Sequence, residues 1–225
     1  SLAARRDPAG GCGNIGPDVM KVVIIVPTYN ERDNIGPLVL ALEQQFARLD
    51  HDMHILVVDD SSPDGTADVV RDLQVTRPHL HLLSGARTGL GAAYIRGMHY
   101  ALDRLGADAV FEMDADFSHL PENVRRLRTN FDHGEDFIIG SHYMPGGTIP
   151  KEWGLHRRAI SLGGNIVARY LAGTYRVRDC TAGFRAIRAS LLRTIDLDHL
   201  RVQGYAFQVA LLHAAVTHGA KVVEV

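Results

Sequence analysis

Short apolar runs, each stopped by a polar or acidic turn, constrain this chain more than any other feature. Val22-Val23-Ile24-Ile25-Val26 ends at Pro27-Thr28-Tyr29-Asn30-Glu31. Ile55-Leu56-Val57-Val58 ends at Asp59-Asp60-Ser61-Ser62, and Ala109-Val110-Phe111-Glu112-Met113 ends at Asp114-Ala115-Asp116. Continuous β-branched and aliphatic runs lack the alternation of a half-exposed strand, and suit strands covered on both faces. His79 to Leu83 and Phe137 to Gly140 read as two further strands. Between the runs, apolar residues recur at helical spacing. Ile35, Leu38, Val39, Leu42, Phe46 and Leu49 form one face, and Leu90, Tyr94, Gly97, Met98, Ala101, Leu102 and Leu105 another, closed by Gly106. Asp64 or Thr66 suits the cap of a helix carrying Val69, Val70 and Leu73, and Pro121 starts a helix through Val124, Leu127 and Phe131. Strands alternating with helices predict an α/β fold, a mainly parallel sheet flanked by helices. Ligands bind such sheets outside the carboxyl ends of the strands, where the acidic turns fall.

Residues 1–20 are rich in glycine and carry no apolar period, which predicts a mobile N-terminal arm ahead of a single domain at 21–225. With 225 residues, 46% hydrophobic and 22% charged, the chain can bury a core without disulfide or metal support. A formal net charge of −2 argues against nucleic-acid binding through bulk charge. The longest aliphatic run, Val22 to Val26, falls far short of the ~18 apolar residues of a spanning helix. Arg5-Arg6 leads into a glycine-rich stretch, so no signal peptide is read. Cys12 and Cys180 form no CxxC, and a reducing compartment is expected. His79 and His81 suit one strand face and His51 and His54 one helix turn, but neither pair has a third ligand nearby in sequence, so no structural metal site is expected.

Asp114-Ala115-Asp116 places two carboxylates where they repel each other, and a counter-charge relieves that repulsion. Mg²⁺ typically takes one or two carboxylates together with substrate phosphates. A solvated turn with a helix cap is the structural alternative. Asp59, Asp60 and Asp64 form a second acidic cluster, equally readable as a capped turn around Gly65. Neither GxxxxGK[ST] nor a GxGxxG after the first strand occurs, which argues against P-loop and ordinary dinucleotide-binding proteins. Gly89-Leu90-Gly91 begins a helix, where backbone N–H groups face an anion or simply form a turn.

These segments together resemble family 2 glycosyltransferases of the GT-A (Rossmann-like, nucleotide-diphospho-sugar transferase) fold, and more narrowly the dolichol-phosphate (polyprenol-phosphate) mannose synthases. The resemblance rests on Val26 to Glu31, Val57 to Thr66, Met113 to His119 and Thr88 to Tyr94. It extends to Gly140-Ser141-His142-Tyr143, Trp153 with Arg157-Arg158 and Ser161, Asp179 to Arg185, and Gly204 to Gln208. It implies inverting transfer of mannose from GDP-mannose to a polyprenyl monophosphate, a metal-dependent reaction with Mg²⁺ or Mn²⁺. By motif, Pro27, Tyr29, Glu31, Asp59 and Asp60 would line the nucleotide pocket with Ala115, and Asp114 and Asp116 would hold nucleotide and metal. Arg157, Arg158, Ser161 and Arg185 would bind donor or acceptor phosphates. Asp116, Arg157 and Arg158 are the expected catalytic residues. The lipid acceptor implies a peripheral protein at the cytoplasmic face of a membrane, with a membrane-anchored partner or domain and no nucleic acid.

The acceptor nucleophile would be a phosphate oxygen with a second pKa of about 6, ionised near neutrality, so no general base is required. Catalysis would then rest on positioning and electrostatics, with arginine forks matching the phosphate. Lys151 to Leu171 reads either as a basic amphipathic helix on a membrane surface or as a core-facing helix, with Gly146-Gly147 as a hinge before it. The chain departs from the family pattern at His142, where arginine is usual, at Ala210, where an acid is usual, and at Ser118, where glutamine is usual. A closing segment after Val225 is expected in the family. Two other readings stand beside mannose transfer: the same chemistry with UDP-glucose or another nucleotide sugar, and a nucleotide-sugar-binding module with little turnover.

Overall fold

A computed structural model describes residues 19–131, 133–141, 177–200, 202 and 204–225. The chain opens with β1 (Lys21–Thr28), α1 (Arg32–Phe46), β2 (Asp52–Asp59), α2 (Thr66–Gln74), β3 (Leu80–Ser84), α3 (Leu90–Asp103) and β4 (Ala109–Glu112). A 3₁₀ turn at Pro121–Asn123 leads into α4 (Val124–Phe131), followed by β5 (Phe137–Ile139). Then come β6 (Arg185–Arg188), the single turn α5 (Ala189–Leu192), α6 (Tyr205–Thr217) and β7 (Val222–Glu224). The strands form one sheet in the order β3-β2-β1-β4-β6-β5-β7.

β1 pairs in parallel with β2 and β4, and β2 with β3. These three crossovers bring the turns after β1, β2 and β4 to the same end of the sheet. Consecutive residues of a strand point to opposite faces, so a run apolar at every position feeds two cores. Val23, Ile25, Leu56 and Val58 pack with Tyr94, Met98, Phe207 and Leu211 of α3 and α6. Val22, Ile24, Ile55 and Val57 pack on the other face with Ile35, Leu38 and Leu42 of α1, Val70 of α2 and Phe131 of α4.

The parallel pattern breaks at β6, which runs antiparallel to both β4 and β5. This strand was legible in the sequence only as the tail of a motif, because its four residues begin and end with arginine. His54 is also placed differently from its expected helix turn: it lies on β2, since Asp52 to His54 extend that strand by pairing with Lys21 to Val23. His54 Nδ1 and His81 Nε2 are 3.0 Å apart, a hydrogen-bonded pair across β2 and β3.

α3 sits close to the sheet because Gly97 has no side chain. A Cβ there would lie 2.7 Å from Ile25 Cγ2 and 3.1 Å from Val58 Cγ2. Alanine improves helix propensity by about 1 kcal/mol, but overpacking costs about 1–3 kcal/mol. Gly97→Ala is therefore expected to lower unfolding free energy in denaturant titration. A gain in stability would contradict this close packing.

Candidate active site

Among the described residues, three non-glycine residues adopt left-handed backbone: Asn30 at φ 62°, Ser61 at φ 55° and Phe117 at φ 59°. Each follows the carboxyl end of a parallel strand, β1, β2 or β4. Such conformations cost free energy and persist where the surroundings enforce them, often at functional sites. Hydrogen bonds supply the enforcement here. Asn30 N–H donates to Ser62 Oγ at 3.0 Å, Ser61 Oγ donates to the Gly85 carbonyl at 2.8 Å, and Ser118 N–H donates to Asp116 Oδ1 at 2.9 Å.

The acidic residues of the second turn divide into structural and open groups. Asp59 is 1% exposed. Its carboxylate accepts from Thr28 Oγ1 at 3.1 Å, Ser62 Oγ at 2.5 Å and Ser62 N–H at 3.0 Å. It ties the ends of β1 and β2 together and does not line the cleft, which corrects its expected place in the nucleotide pocket. Asp64 accepts from Thr66 N–H and Oγ1 and from Arg32 N–H, and Thr66 Oγ1 in turn accepts from Glu31 N–H. The Thr66 hydroxyl, followed by these backbone bonds, holds the Asp64 carboxyl below its ordinary value. Asp60 does face the cleft, paired with Arg96 Nη2 at 2.5 Å.

An open cleft of about 350 Å³ spans these strand ends. Pro27 and Thr28 at the end of β1 line it with Tyr29 and Glu31 just beyond, Asp60 after β2, Arg87, Gly89, Leu90 and Ala93 from the β3–α3 turn and helix, and Asp114, Ala115 and Asp116 after β4. Of the expected nucleotide-site residues, Pro27, Tyr29, Glu31, Asp60, Asp114, Ala115 and Asp116 thus meet in one cleft. Arg157, Arg158 and Ser161, with His142, Trp153, Gly146-Gly147 and the segment 151–171, lie outside the described residues. Arg185 is a correction. It is fully buried, and each of its three nitrogens donates to a backbone carbonyl, so it does not face the cleft. Its sequence position, at the end of the Asp179 to Arg185 motif, gave no sign of this.

Arg87 was not singled out by sequence. Its guanidinium carbon lies 3.7 Å from the centroid of the Tyr29 ring, a cation–π contact inside the cleft. Nothing in its neighbourhood of small and polar residues marks it, because the partner ring is far away in sequence.

Burial, and then the negative charge of Asp116, push the Asp114 carboxyl above its ordinary value, and Glu31 adds to the effect. Tyr94 OH donates to Asp114 Oδ1 at 3.3 Å, a partial compensation. A divalent cation would relieve this repulsion. The donors are hard carboxylate oxygens, suited to Mg²⁺ or Mn²⁺ rather than to softer metals. Among the described residues no group of three side-chain ligands assembles, so phosphate and water oxygens would complete a cation's shell at this pair. The residues present therefore fit a metal shared with a diphosphate.

A parallel-sheet core with an acidic cleft across the ends of β1, β2 and β4 is the architecture of the GT-A glycosyltransferases. Mannosyl-3-phosphoglycerate synthase from Rubrobacter xylanophilus superposes with a TM-score of 0.64 at 21% identity, over 91% of this chain and 65% of that one. Glucosyl-3-phosphoglycerate synthase from Mycobacterium tuberculosis, in complex with Mn²⁺, UDP-glucose and phosphoglyceric acid, gives 0.66 at 17% identity, over 91% and 69%. The chain belongs to Glycosyl transferase family 2, whose sequence profile matches residues 23–196. It is 42% identical over 227 residues to polyprenol monophosphomannose synthase of Mycolicibacterium smegmatis, covering 99% of this chain and 80% of that protein. It is 41% identical over 208 residues to undecaprenyl-phosphate mannosyltransferase of Micrococcus luteus, covering 92% and 82%.

Beneath Asp114, Glu112 is fully buried, and neither its oxygens nor the nearby Gln208 amide makes a hydrogen bond of good geometry. Burial raises the Glu112 carboxyl from 4.5 to about 7, against the opposing charge of Arg185. Between these values the unfolded chain sheds a proton that the folded chain keeps, so the contribution to stability falls as pH rises through this window. Glu112→Gln is expected to gain on the wild type by about 3 kcal/mol from about pH 4 to about pH 8 in denaturant unfolding. A pH-independent difference would contradict it.

Proposed function

We propose that this chain transfers mannose, with inversion, from GDP-mannose to a polyprenyl monophosphate, using Mg²⁺ or Mn²⁺ held by Asp114 and Asp116. The observation that carries the reading is the convergence of Asp114 and Asp116 with Tyr29, Glu31 and Asp60 on one cleft over the strand ends. The names of the relatives support the polyprenyl acceptor and the mannosyl group. A divalent metal held by Asp114 and Asp116 would supply charge neutralisation for the departing diphosphate.

The remaining chemistry belongs to the chain. Tyr29, braced by Arg87, offers a rigid aromatic and cationic wall for the nucleoside. Asp60, fixed by Arg96, and Glu31, which accepts from Asn34 Nδ2 at 2.7 Å, are held in place for hydroxyl groups of the donor. Asp114, oriented by Tyr94, and the exposed Asp116 face the diphosphate end. The acceptor arrives already ionised, with a second phosphate pKa of about 6. No residue need abstract a proton. Arg157, Arg158 and Ser161 would hold the acceptor phosphate. A polyprenyl-lipid acceptor, as the names of the relatives indicate, would bring the protein to the cytoplasmic surface of the bilayer. None of the helices among the described residues is long and apolar enough to cross a membrane.

Radiolabelled mannose supplied as GDP-mannose should appear in organic-extractable lipid only with divalent metal. Asp116→Ala should lower that transfer by about 10²–10³-fold, the scale on which removing one group that stabilises developing charge acts. Label accepted from UDP-glucose but not from GDP-mannose would overturn the donor assignment. Tight GDP-mannose binding without any lipid product would favour a binding module instead.

A further inference from the structure

Arg185 begins β6 directly opposite Glu112 of β4 and is fully buried. A buried guanidinium is tolerated when its donors are satisfied. Nε donates to the Ala182 carbonyl at 2.8 Å and Nη2 to the Cys180 carbonyl at 2.7 Å, both in the loop that enters β6. Nη1 donates to the Gln208 carbonyl of α6 at 2.6 Å. One side chain thus ties a loop and a helix to β6, the strand paired with β4 two residues before Asp114.

Both tied parts reach Asp114. In the loop, a Cβ built on Gly183 would lie 3.0 Å from Asp114 Oδ2, so bare backbone packs against that carboxylate oxygen. From α6, Phe207 stacks on Tyr94 with centroids 5.9 Å apart and planes 7° from parallel. Tyr94 is buried and donates to the other oxygen, Asp114 Oδ1. The loop bounds one oxygen of the carboxylate and the Tyr94–Phe207 stack the other, and the two meet at the Arg185 fork.

We propose that Arg185 is a positioning residue for Asp114, acting through the Gly183 backbone and the Tyr94–Phe207 stack, and not a contact to phosphate. The proposal rests on the reading of Asp114 as a metal- and diphosphate-facing carboxylate. Only a planar fork fits three carbonyls at these separate directions. The lysine ammonium is a compact point charge that keeps the charge opposite Glu112 but cannot span them.

The test compares Arg185→Lys and Gly183→Ala with the wild type. Mn²⁺ affinity in the presence of GDP is read from the electron paramagnetic resonance of free Mn²⁺, alongside the KM for polyprenyl phosphate and the unfolding midpoint. Supporting groups around metal ligands act on affinity by about 10–100-fold. Both variants are expected to weaken Mn²⁺ binding by about tenfold or more and to leave the acceptor KM unchanged, with Gly183→Ala unfolding at the wild-type midpoint. An acceptor KM raised in Arg185→Lys with Mn²⁺ affinity intact would overturn the proposal in favour of a phosphate contact. If Arg185→Lys fails to fold, Gly183→Ala decides the matter, and unchanged Mn²⁺ affinity there overturns the proposal. A wild type that binds Mn²⁺ with GDP yet makes no mannolipid would refute the transfer reading alone, leaving the positioning result readable.

Discussion

Negative charge gathered at one end of a parallel sheet governs this structure. Parallel pairing of β1 with β2 and β4 forces their following turns to the same edge, and each of those turns carries carboxylates. Three of them are held by local partners. Asp59 is consumed by Thr28 and Ser62, Asp64 by Thr66 and backbone N–H groups, and Asp60 by Arg96. Asp114 and Asp116 remain with Glu31 nearby, and burial, followed by the charges of Asp116 and Glu31, holds the Asp114 carboxyl above its ordinary value. A cation shared with an anionic diphosphate is the physical complement of that arrangement, because it satisfies the carboxylates and the ligand together.

The scaffold beneath the cleft is built to resist that repulsion. Left-handed backbone at Asn30, Ser61 and Phe117 turns the chain sharply after each strand and is locked by short side-chain bonds. Deeper in the sheet, a fully buried Arg185 spends its donors on three carbonyls, and a fully buried Glu112 stands opposite with no hydrogen bond of good geometry. Buried charge of this kind adds little net stability and is instead associated with a specific arrangement. In this protein the arrangement fixed is the loop and helix that hold Asp114.

Sequence patterning revealed the parts of the fold that depend on local periodicity. The runs of β1, β2 and β4 and the faces of α1 and α3 were legible because each element buries a repeating apolar set. The strand β6 was not, since its pairing comes from antiparallel partners distant in sequence. At the site, Asp114, Asp116, Glu31 and Tyr29 were legible as strand-end residues. The burial of Asp59 and Arg185 was not, because motif position says nothing about which way a side chain turns. Arg87 and the Gly183 contact with Asp114 depend on pairs that only the tertiary fold brings together.

The central claim is that Asp114 and Asp116 hold a divalent cation together with a guanosine diphosphate. Crystals grown with GDP and Mn²⁺, measured at the manganese absorption edge, test it most directly. The account expects one strong anomalous peak about 2.0–2.2 Å from oxygens of this pair and of the diphosphate, the distance range of hard divalent cations to oxygen. GDP bound in the cleft with no anomalous peak at these carboxylates would contradict it.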